Sequence, residues 1–500
     1  MDTRFGRRAR VSRLKPLASC LALALAAGTG LITPTHVAAT TARHQPIPPR
    51  AASDIPLAIR FPPSDPRAAI VDRLLSRRIP DRPAGSIPVT NCNDSGAGSL
   101  RDAVDSAVSG DVFDMTAIGC STITLTTGAI ITAVDDISLL GPGRDLLTID
   151  AGGTSQGLIH LGAGTLEIDG LTVLNGFKYA SDANFAPGGC IYSQGAVFMS
   201  DAGAKYCTAE AGGSGNAVGG AIYALGNITL LNSTVSGSTA QSTSVSSVGG
   251  GVFTQGSLFA KYSIFRNNQA IVTNTGAYGY GGAAWIGGDA TVLASLVQGG
   301  YAGHVAGLDL VGGIAVYELQ VGNTTITDNY SYHSGYGSGL YLGNTATVSN
   351  STITGNTEAT PAEFKYGGGV TLGFGVTADL QSSIVSANIW HYSGTDYPSD
   401  IGTVGGSTIT GANNMIGWYL PLTAPADTLV VFDPMLGPLD TNGGPTSTML
   451  PLTGSPAINA GNNVNGGKYD QRGAGFPRVV GANADIGAVE TDTIFANGFD

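Results

Sequence analysis

The feature that most restricts how this chain can fold is internal repetition at a period of roughly 30 residues, the length at which one supersecondary unit stacks on the next. Two phrases recur. The first is a Gly-rich turn followed by a small residue, an aliphatic and often an aromatic, as in Gly189-Cys190-Ile191-Tyr192, Gly220-Ala221-Ile222-Tyr223, Gly250-Gly251-Val252-Phe253, Gly282-Ala283-Ala284-Trp285, Ile314-Ala315-Val316-Tyr317, Gly339-Leu340-Tyr341 and Gly368-Gly369-Val370-Thr371. The second places Ser or Thr before an aliphatic, as in Asn232-Ser233-Thr234-Val235, Tyr262-Ser263-Ile264, Thr324-Thr325-Ile326, Asn350-Ser351-Thr352-Ile353 and Gln381-Ser382-Ser383-Ile384. Aligning Val173, Thr208, Val235, Ile264, Leu296, Ile326, Ile353, Ile384 and Ile409 gives intervals of 35, 27, 29, 32, 30, 27, 31 and 25 residues. A sustained period of this kind belongs to a solenoid.

Within each period the segments are short, rich in Val, Ile and Thr, and alternate apolar with small polar residues, as in Ile228-Thr229-Leu230 and Thr345-Ala346-Thr347-Val348. That alternation is a strand signal, and no helical window of comparable length competes with it. Composition agrees: 74 glycines and only 12% charged residues leave too few Glu, Lys and Arg for long solvated helices. Asn recurs three residues after an aliphatic at Asn268, Asn329, Asn356 and Asn388. Asn tolerates left-handed backbone and its amide can bond the Asn of the next coil, so these positions predict a ladder rather than a catalytic set. The reading is an all-β, right-handed parallel β-helix whose coils take about 30 residues each.

Charge is divided sharply along the chain. Residues 1–90 hold 14 of the 24 Lys and Arg and five acids, which leaves residues 91–500 with ten bases against 31 acids and a net charge of −21. An acidic body excludes a nucleic-acid footprint. The front reads as an export signal over residues 1–39, with Arg4 to Lys15 as the positive stretch, Leu17 to Ala27 as the apolar core and Val37-Ala38-Ala39 as the cleavage site. That core is too short to span a bilayer, and no later segment is long and apolar enough. Residues 40–88 carry ten prolines between His44 and Pro88 and read as a linker or pro-segment.

Four cysteines remain after the leader: Cys92, Cys120, Cys190 and Cys207. In an exported chain they point to two disulfides, Cys92 with Cys120 and Cys190 with Cys207 by proximity, although four cysteines permit three connectivities. Their spacing does not make a zinc site.

Particular segments resemble known secreted bacterial β-helix proteins. Gly219-Gly220-Ala221-Ile222 and Phe265-x-x-Asn268 resemble the paired repeat signatures of polymorphic outer-membrane proteins, and Asn93-Asp94-Ser95-Gly96-Ala97-Gly98-Ser99-Leu100-Arg101-Asp102-Ala103 resembles the CSLREA segment that opens many such chains. Gly141-Pro142-Gly143 and Leu146-Leu147-Thr148-Ile149 look like their first coils. Asp433-Pro434-Met435-Leu436-Gly437-Pro438-Leu439, Asn442-Gly443-Gly444-Pro445-Thr446, Gly454 to Gly461, Asp470-Gln471-Arg472-Gly473 and Asp485-Ile486-Gly487-Ala488-Val489-Glu490 resemble a choice-of-anchor Q region. The resemblance implies a secreted or surface protein of a Gram-negative bacterium, in a class whose molecular function is mostly undefined. It divides the body into a cap with first coils over 89–164, repeats over 165–418, an anchor-like region over 419–490 and a tail over 491–500. A passenger of the autotransporter type would run on into a membrane barrel; here the Ile494 to Asp500 segment is similar to short sorting tags.

Signals for chemistry are sparse. Gly153-Thr154-Ser155-Gln156-Gly157, with His160 nearby, matches a nucleophile elbow in letters only, because Leu158 to Leu161 reads as a strand where a helix is needed. No phosphate loop or calcium loop is present, no cofactor is implied, and the acidity is compatible with no more than weak, distributed calcium binding. The most suggestive constellation follows the Asn positions: His304, His333 and His391 lie eight, seven and seven residues after Leu296, Ile326 and Ile384, with Lys365 in the intervening coil. Around them fall Tyr301, Tyr332, Tyr336, Tyr366, Trp390 and Tyr392, rings suited to the apolar faces of sugars. The expected role is adhesion or glycan recognition by a monomer without catalysis. One alternative is a uronate lyase-like enzyme using His333, Lys365 or His391. Another is a structural spacer, favoured if the aromatic loops pack inward.

Overall fold

The computed structural model describes residues 86–181, 185–243, 245–274, 278–303, 308–310, 318–332, 337–359, 367–419 and 422–491. The export signal, most of the proline-rich segment, His304, His333, Tyr336, Lys365, Tyr366 and the tail beyond Thr491 lie outside these residues.

The chain forms a parallel β-helix, as its periodicity predicts. One coil illustrates the path: Thr165–Asp169, Thr172–Leu174, Phe177–Ala180, Ala186–Pro187 and Ile191–Ser193, after which Ala196–Ser200 stacks on Thr165–Asp169 and the circuit repeats. Five sheets result, here lettered A, B, D, E and C in the order the chain visits them. Sheets A and B each contain 12 strands, C has ten, D nine and E four among the described residues. Successive strands pair in parallel register without slippage, for instance Ile191 with Ile222 and then Val252.

The observed register corrects the repeat alignment. The inward column of sheet B is Val173, Ala204, Val235, Phe265, Val297, Ile326, Ile353, Val385 and Ile416, at intervals of 31, 31, 30, 32, 29, 27, 32 and 31 residues. Thr208 belongs to sheet D and Ile409 to sheet A. Ile264, Leu296 and Ile384 sit one position early, so aliphatic identity misled where strand alternation decides. In one coil the strand of sheet C is Leu308–Leu310, while the Ile314 to Tyr317 phrase falls outside the described residues.

Sheets A, B and C enclose a continuous apolar core running from Val89 to Ile416 and including Leu166, Ile168, Val173 and Ile191. Sheets D and E close on each other over Ala180, Ala186, Ala211, Ala217 and Ala240, small residues that let two backbones approach. The Gly phrase is explained at the entry to sheet C. A Cβ on Gly220 would lie 2.0 Å from the Gly250 carbonyl oxygen, so the stacked coils admit only glycine there.

Two polar ladders run inside the bends. Each Ser or Thr of the second phrase accepts from the backbone of the coil before it: Ser233 N–H to Ser263 Oγ at 3.3 Å, Ser263 to Ser295 at 3.1 Å, Ser295 to Thr324 at 3.3 Å, Thr324 to Ser351 at 3.3 Å and Ser351 to Ser383 at 3.2 Å. The predicted Asn ladder holds over three of its four members, with Asn329 Nδ2 donating to Asn356 Oδ1 and Asn356 Nδ2 to Asn388 Oδ1, both at 2.8 Å, whereas Asn268 is cut off from it by Gly300 and donates to the Val235 carbonyl. These bonds satisfy groups that no water reaches.

No long helix is expected from the sequence, and the one helix among the described residues is short. Leu100–Asp105 is capped by Ser99 Oγ, which accepts from Asp102 N–H, and buries Leu100 and Val104 against the first coils. Arg101 donates to the Gly128 and Ala129 carbonyls and to Asp94, which also accepts from Thr126 and Thr127. Burial opposes ionisation of Asp94, yet the bonds from Arg101, Thr127 and Thr126 outweigh it and hold the carboxyl well below the usual range. Both disulfides form as proximity predicts, Cys92 with Cys120 and Cys190 with Cys207.

The C-terminal region folds back along the outer side of sheet B. Residues in left-handed backbone line the bend between A and B, among them Ala294, Asn323, Asn350 and Ser382. The returning chain bonds to this row through Thr446 to Ala294 O, Asn323 to Tyr469 O, Asn350 to Asn462 O and Gly487 N–H to Ser382 O. Gln471 bridges Ser295 O and the Thr325 hydroxyl, and Ala488 N–H donates to Thr352 Oγ1 at 3.0 Å. Ile384, Met415, Ala457 and Ile486 make a separate apolar cluster beneath it. Its motif residues are internal: Arg472 pairs with Asp470 at 2.7 Å and Arg478 with Glu490 at 2.9 Å, all nearly free of solvent.

Candidate functional site on the outer face of sheet D

Each coil enters sheet D from the bend after sheet B, which carries Asn268, Asn329, Asn356 or Asn388 in four coils and Cys207, Ser238 or Gly300 in others, and alternation sends every second side chain outward. The inward row of Ala209, Ala240, Ala270, Ala302, Ser331, Glu358 and Trp390 is buried. Two outward rows flank it. One runs from Phe177 through Thr208, Thr239 and Gln269 to Tyr301, Tyr330, Thr357 and Ile389; all are partly or largely exposed. The other contains Tyr179, Glu210, Gln241 and Ile271 at one end and Ala359 and His391 at the other, with Tyr332 continuing the same outward side.

The rings concentrate at one part of this face. Tyr301 stacks on Tyr330 at 5.8 Å with 4° between planes, and on Tyr332 at 4.8 Å and 18°. Tyr330 remains 39% exposed. Burial, then the neighbouring phenols, push the Tyr301 hydroxyl up, and burial does the same for Tyr332, so both remain neutral donors in ordinary conditions. Beyond Tyr330 the next strand offers only Thr357 and Ala359, and the strand after that carries Ile389 and His391. The small pair makes a notch two strand steps wide, about 9.6 Å. Its far wall joins Ile389 to a polar pair: His391 Nδ1 lies 2.6 Å from Asp396 Oδ1 on the antiparallel strand Thr395–Pro398, and both side chains are exposed.

The structure separates the sequence-predicted residues. Tyr301 and Tyr332 share the outer face with His391. Trp390 and Tyr392 lie on the opposite side of the same strand, stacked at 4.9 Å, and Trp390, only 4% exposed, also meets Tyr397 at 5.1 Å. Trp390 thus packs inward and does not line the face. Tyr336, Tyr366, His333 and Lys365 lie outside the described residues. His160, considered with Ser155, is buried and bonds instead to Ser193 Oγ at 2.8 Å and to the Val134 and Asp135 carbonyls, which removes it from solvent and from Ser155. Among the described residues no group of three or more His, Cys, Asp or Glu is arranged to hold a metal ion, and no helix is long and apolar enough to cross a membrane.

Sequence reasoning missed Phe177 and Tyr179, which precede the clear repeats, and Glu358. The last has no hydrogen-bond partner for either carboxylate oxygen among the described residues, and burial pushes its carboxyl up to about 8. A second ring series was read from the Gly phrase. Tyr192, Tyr223, Phe253 and Trp285 stack at 5.4, 5.1 and 4.6 Å on sheet C, but Tyr223, Phe253 and Trp285 are buried and Phe185 meets Tyr223 edge-on. That ladder is packing.

No family model and no curated protein matches the chain. A solved structure described as "Crystal structure of pectate lyase Pel9A" is similar over 81% of this chain and 97% of that one, at 12% identity and a TM-score of 0.37. At that identity and TM-score the similarity carries no argument about this chain.

Proposed function

We propose that this chain is an exported β-helix protein that recognises glycans through the outer face of sheet D, at the cell surface or in the medium of a Gram-negative bacterium, without catalysis. The observation that carries the reading is the Tyr301, Tyr330 and Tyr332 stack beside the Thr357 and Ala359 notch. One face of Tyr330 is supported by Tyr301, which leaves the side over small Thr357 for a sugar ring, while neutral phenols and the His391–Asp396 pair supply hydrogen bonds to its hydroxyls. Two disulfides fit an oxidising compartment outside the cytoplasm. The CSLREA-like segment would be the N-terminal cap and the choice-of-anchor Q-like block the returning C-terminal cover, with the polymorphic outer-membrane-protein-like repeats forming the coils between.

Binding of the mature chain to immobilised polysaccharides tests the reading. Tyr330→Ala should lose binding while the fold persists. Retention of all binding by Tyr330→Ala, or no binding of any polysaccharide by the unaltered protein, would overturn it.

A polysaccharide-active enzyme is the second reading, and the exposed His391–Asp396 pair favours it. A carboxylate at Nδ1 fixes the imidazole tautomer and leaves Nε2 as the nitrogen to serve as a base. Unsaturated product absorbing in the ultraviolet, formed from uronate polymers and abolished by His391→Ala, would establish it. A flat trace would leave the binding reading alone.

A further inference from the structure

We infer that the outer face of sheet D is one continuous strip for an extended linear polysaccharide lying along the solenoid axis, with a second aromatic station at Phe177 and Tyr179. This rests on the glycan reading above and specifies its ligand as a long chain rather than a terminal sugar. Phe177 is in register with the Tyr301 and Tyr330 column through Thr208, Thr239 and Gln269, so both stations lie on one side of one sheet. Tyr179 is 52% exposed, and Tyr206, on the bend leading into the neighbouring strand, is 64% exposed. Four strand steps separate Phe177 from Tyr301, about 19 Å at about 4.8 Å per step. No single sugar touches both.

The residues between the stations fix the ligand class. Thr208, Thr239, Gln241 and Gln269 present hydroxyls and amides at intermediate exposure, with Glu210 as the acid among them. An apolar protein partner would meet an interrupted surface, and a phosphate polymer would meet a carboxylate where it needs cations. A polyhydroxylated chain meets hydrogen-bonding groups along its length and rings at intervals, and a parallel sheet holds these in fixed repeat because each coil is locked to the next.

The test is calorimetric titration of the mature protein with cello-, xylo- and chito-oligosaccharides from disaccharides to octasaccharides. Affinity should rise with length until both stations are spanned. Tyr179→Ala should weaken octasaccharide binding about fivefold or more while leaving trisaccharide binding unchanged, and Tyr330→Ala should weaken both. Tyr179→Phe should retain affinity, which separates loss of the ring from loss of the fold. Equal affinity for short and long chains, or octasaccharide binding untouched by Tyr179→Ala, overturns the second station and leaves the glycan reading standing. Absence of binding to every saccharide sinks both.

Discussion

Asn388 Nδ2 donates to Asp400 Oδ1 at 2.8 Å, and this bond ends the asparagine ladder. The Asn329 and Asn356 amides each donate to the Asn of the next coil, so Asn388, last in the series, requires another acceptor there. Asp400 supplies it, and takes the Asn388 and Trp418 backbone N–H groups as well, each at 2.8 Å. Asp400→Ala leaves these buried donors unanswered and should cost about 3 kcal/mol in chemical denaturation. Asp400→Asn keeps one acceptor oxygen and should cost less.

Acidity should stabilise this protein. Burial raises Glu358 from 4.5 to about 8 and Asp169 from 3.8 to about 6, and for Asp400 it raises the value to about 7 against the bonds from Asn388 and Trp418. For such groups the folded state holds a proton that the unfolded state has released, so stability falls as pH rises through the window from about 4.5 to 8. Each engaged group contributes a slope of about 1.4 kcal/mol per pH unit. The expected result is a higher Tm at pH near 5.5 than near 8, with Glu358→Gln flattening the difference; a Tm that climbs toward pH 8 contradicts it.

The two tyrosine series should separate in a single experiment. Tyr223→Ala removes a buried ring from the sheet C ladder and should destabilise by about 3–5 kcal/mol. Tyr330→Ala, on the open face, should change stability by less than about 0.5 kcal/mol while removing glycan binding. Thermal melts and pull-down on the same samples read both.

Breaking the returning C-terminal chain should loosen it ahead of the coils. Arg478 and Glu490 are a buried pair, and Arg478→Ala strands a carboxylate among Asp470 and Asp485 at a cost of about 3–5 kcal/mol. Limited proteolysis should then cut within 433–491 before it cuts the repeats. Simultaneous loss of both would show that the coils depend on their cover.

Reduction should act locally. The Cys190–Cys207 bridge closes a loop of 17 residues between the sheet C and sheet D bends, and removing it through paired Ala substitutions should cost about 3 kcal/mol by denaturation.

How far the sequence could be read follows from what each residue responds to. The coil period, the strand segments, Asn329, Asn356 and Asn388 as ladder members, and both disulfides were legible because stacking repeats the same local demand in every coil: an aliphatic for the core, a small polar group for the bend, glycine where backbones touch. Exact columns were not, since Thr208 and Ile409 satisfy the same letter pattern on other sheets. Of the predicted ring set, Tyr301 and Tyr332 met on one face while Trp390 and Tyr392 turned away, because one residue of offset along a strand reverses the side it faces.

By itself, then, the sequence determined the β-helix: a local pattern repeated along the chain is enough when each unit's partner is its neighbour in sequence. Which surfaces stay open was decided only in three dimensions. Outward positions carry Thr on B, aromatics on C and both on D, yet the chain from 433 to 491 returns to cover Thr325 and Thr352 on B, Phe185 meets Tyr223 edge-on over C, and D keeps Tyr330 in solvent. Exposure depends on contacts between segments in different coils or, as with Thr352 and Ala488, more than 100 residues apart, and no local pattern encodes those.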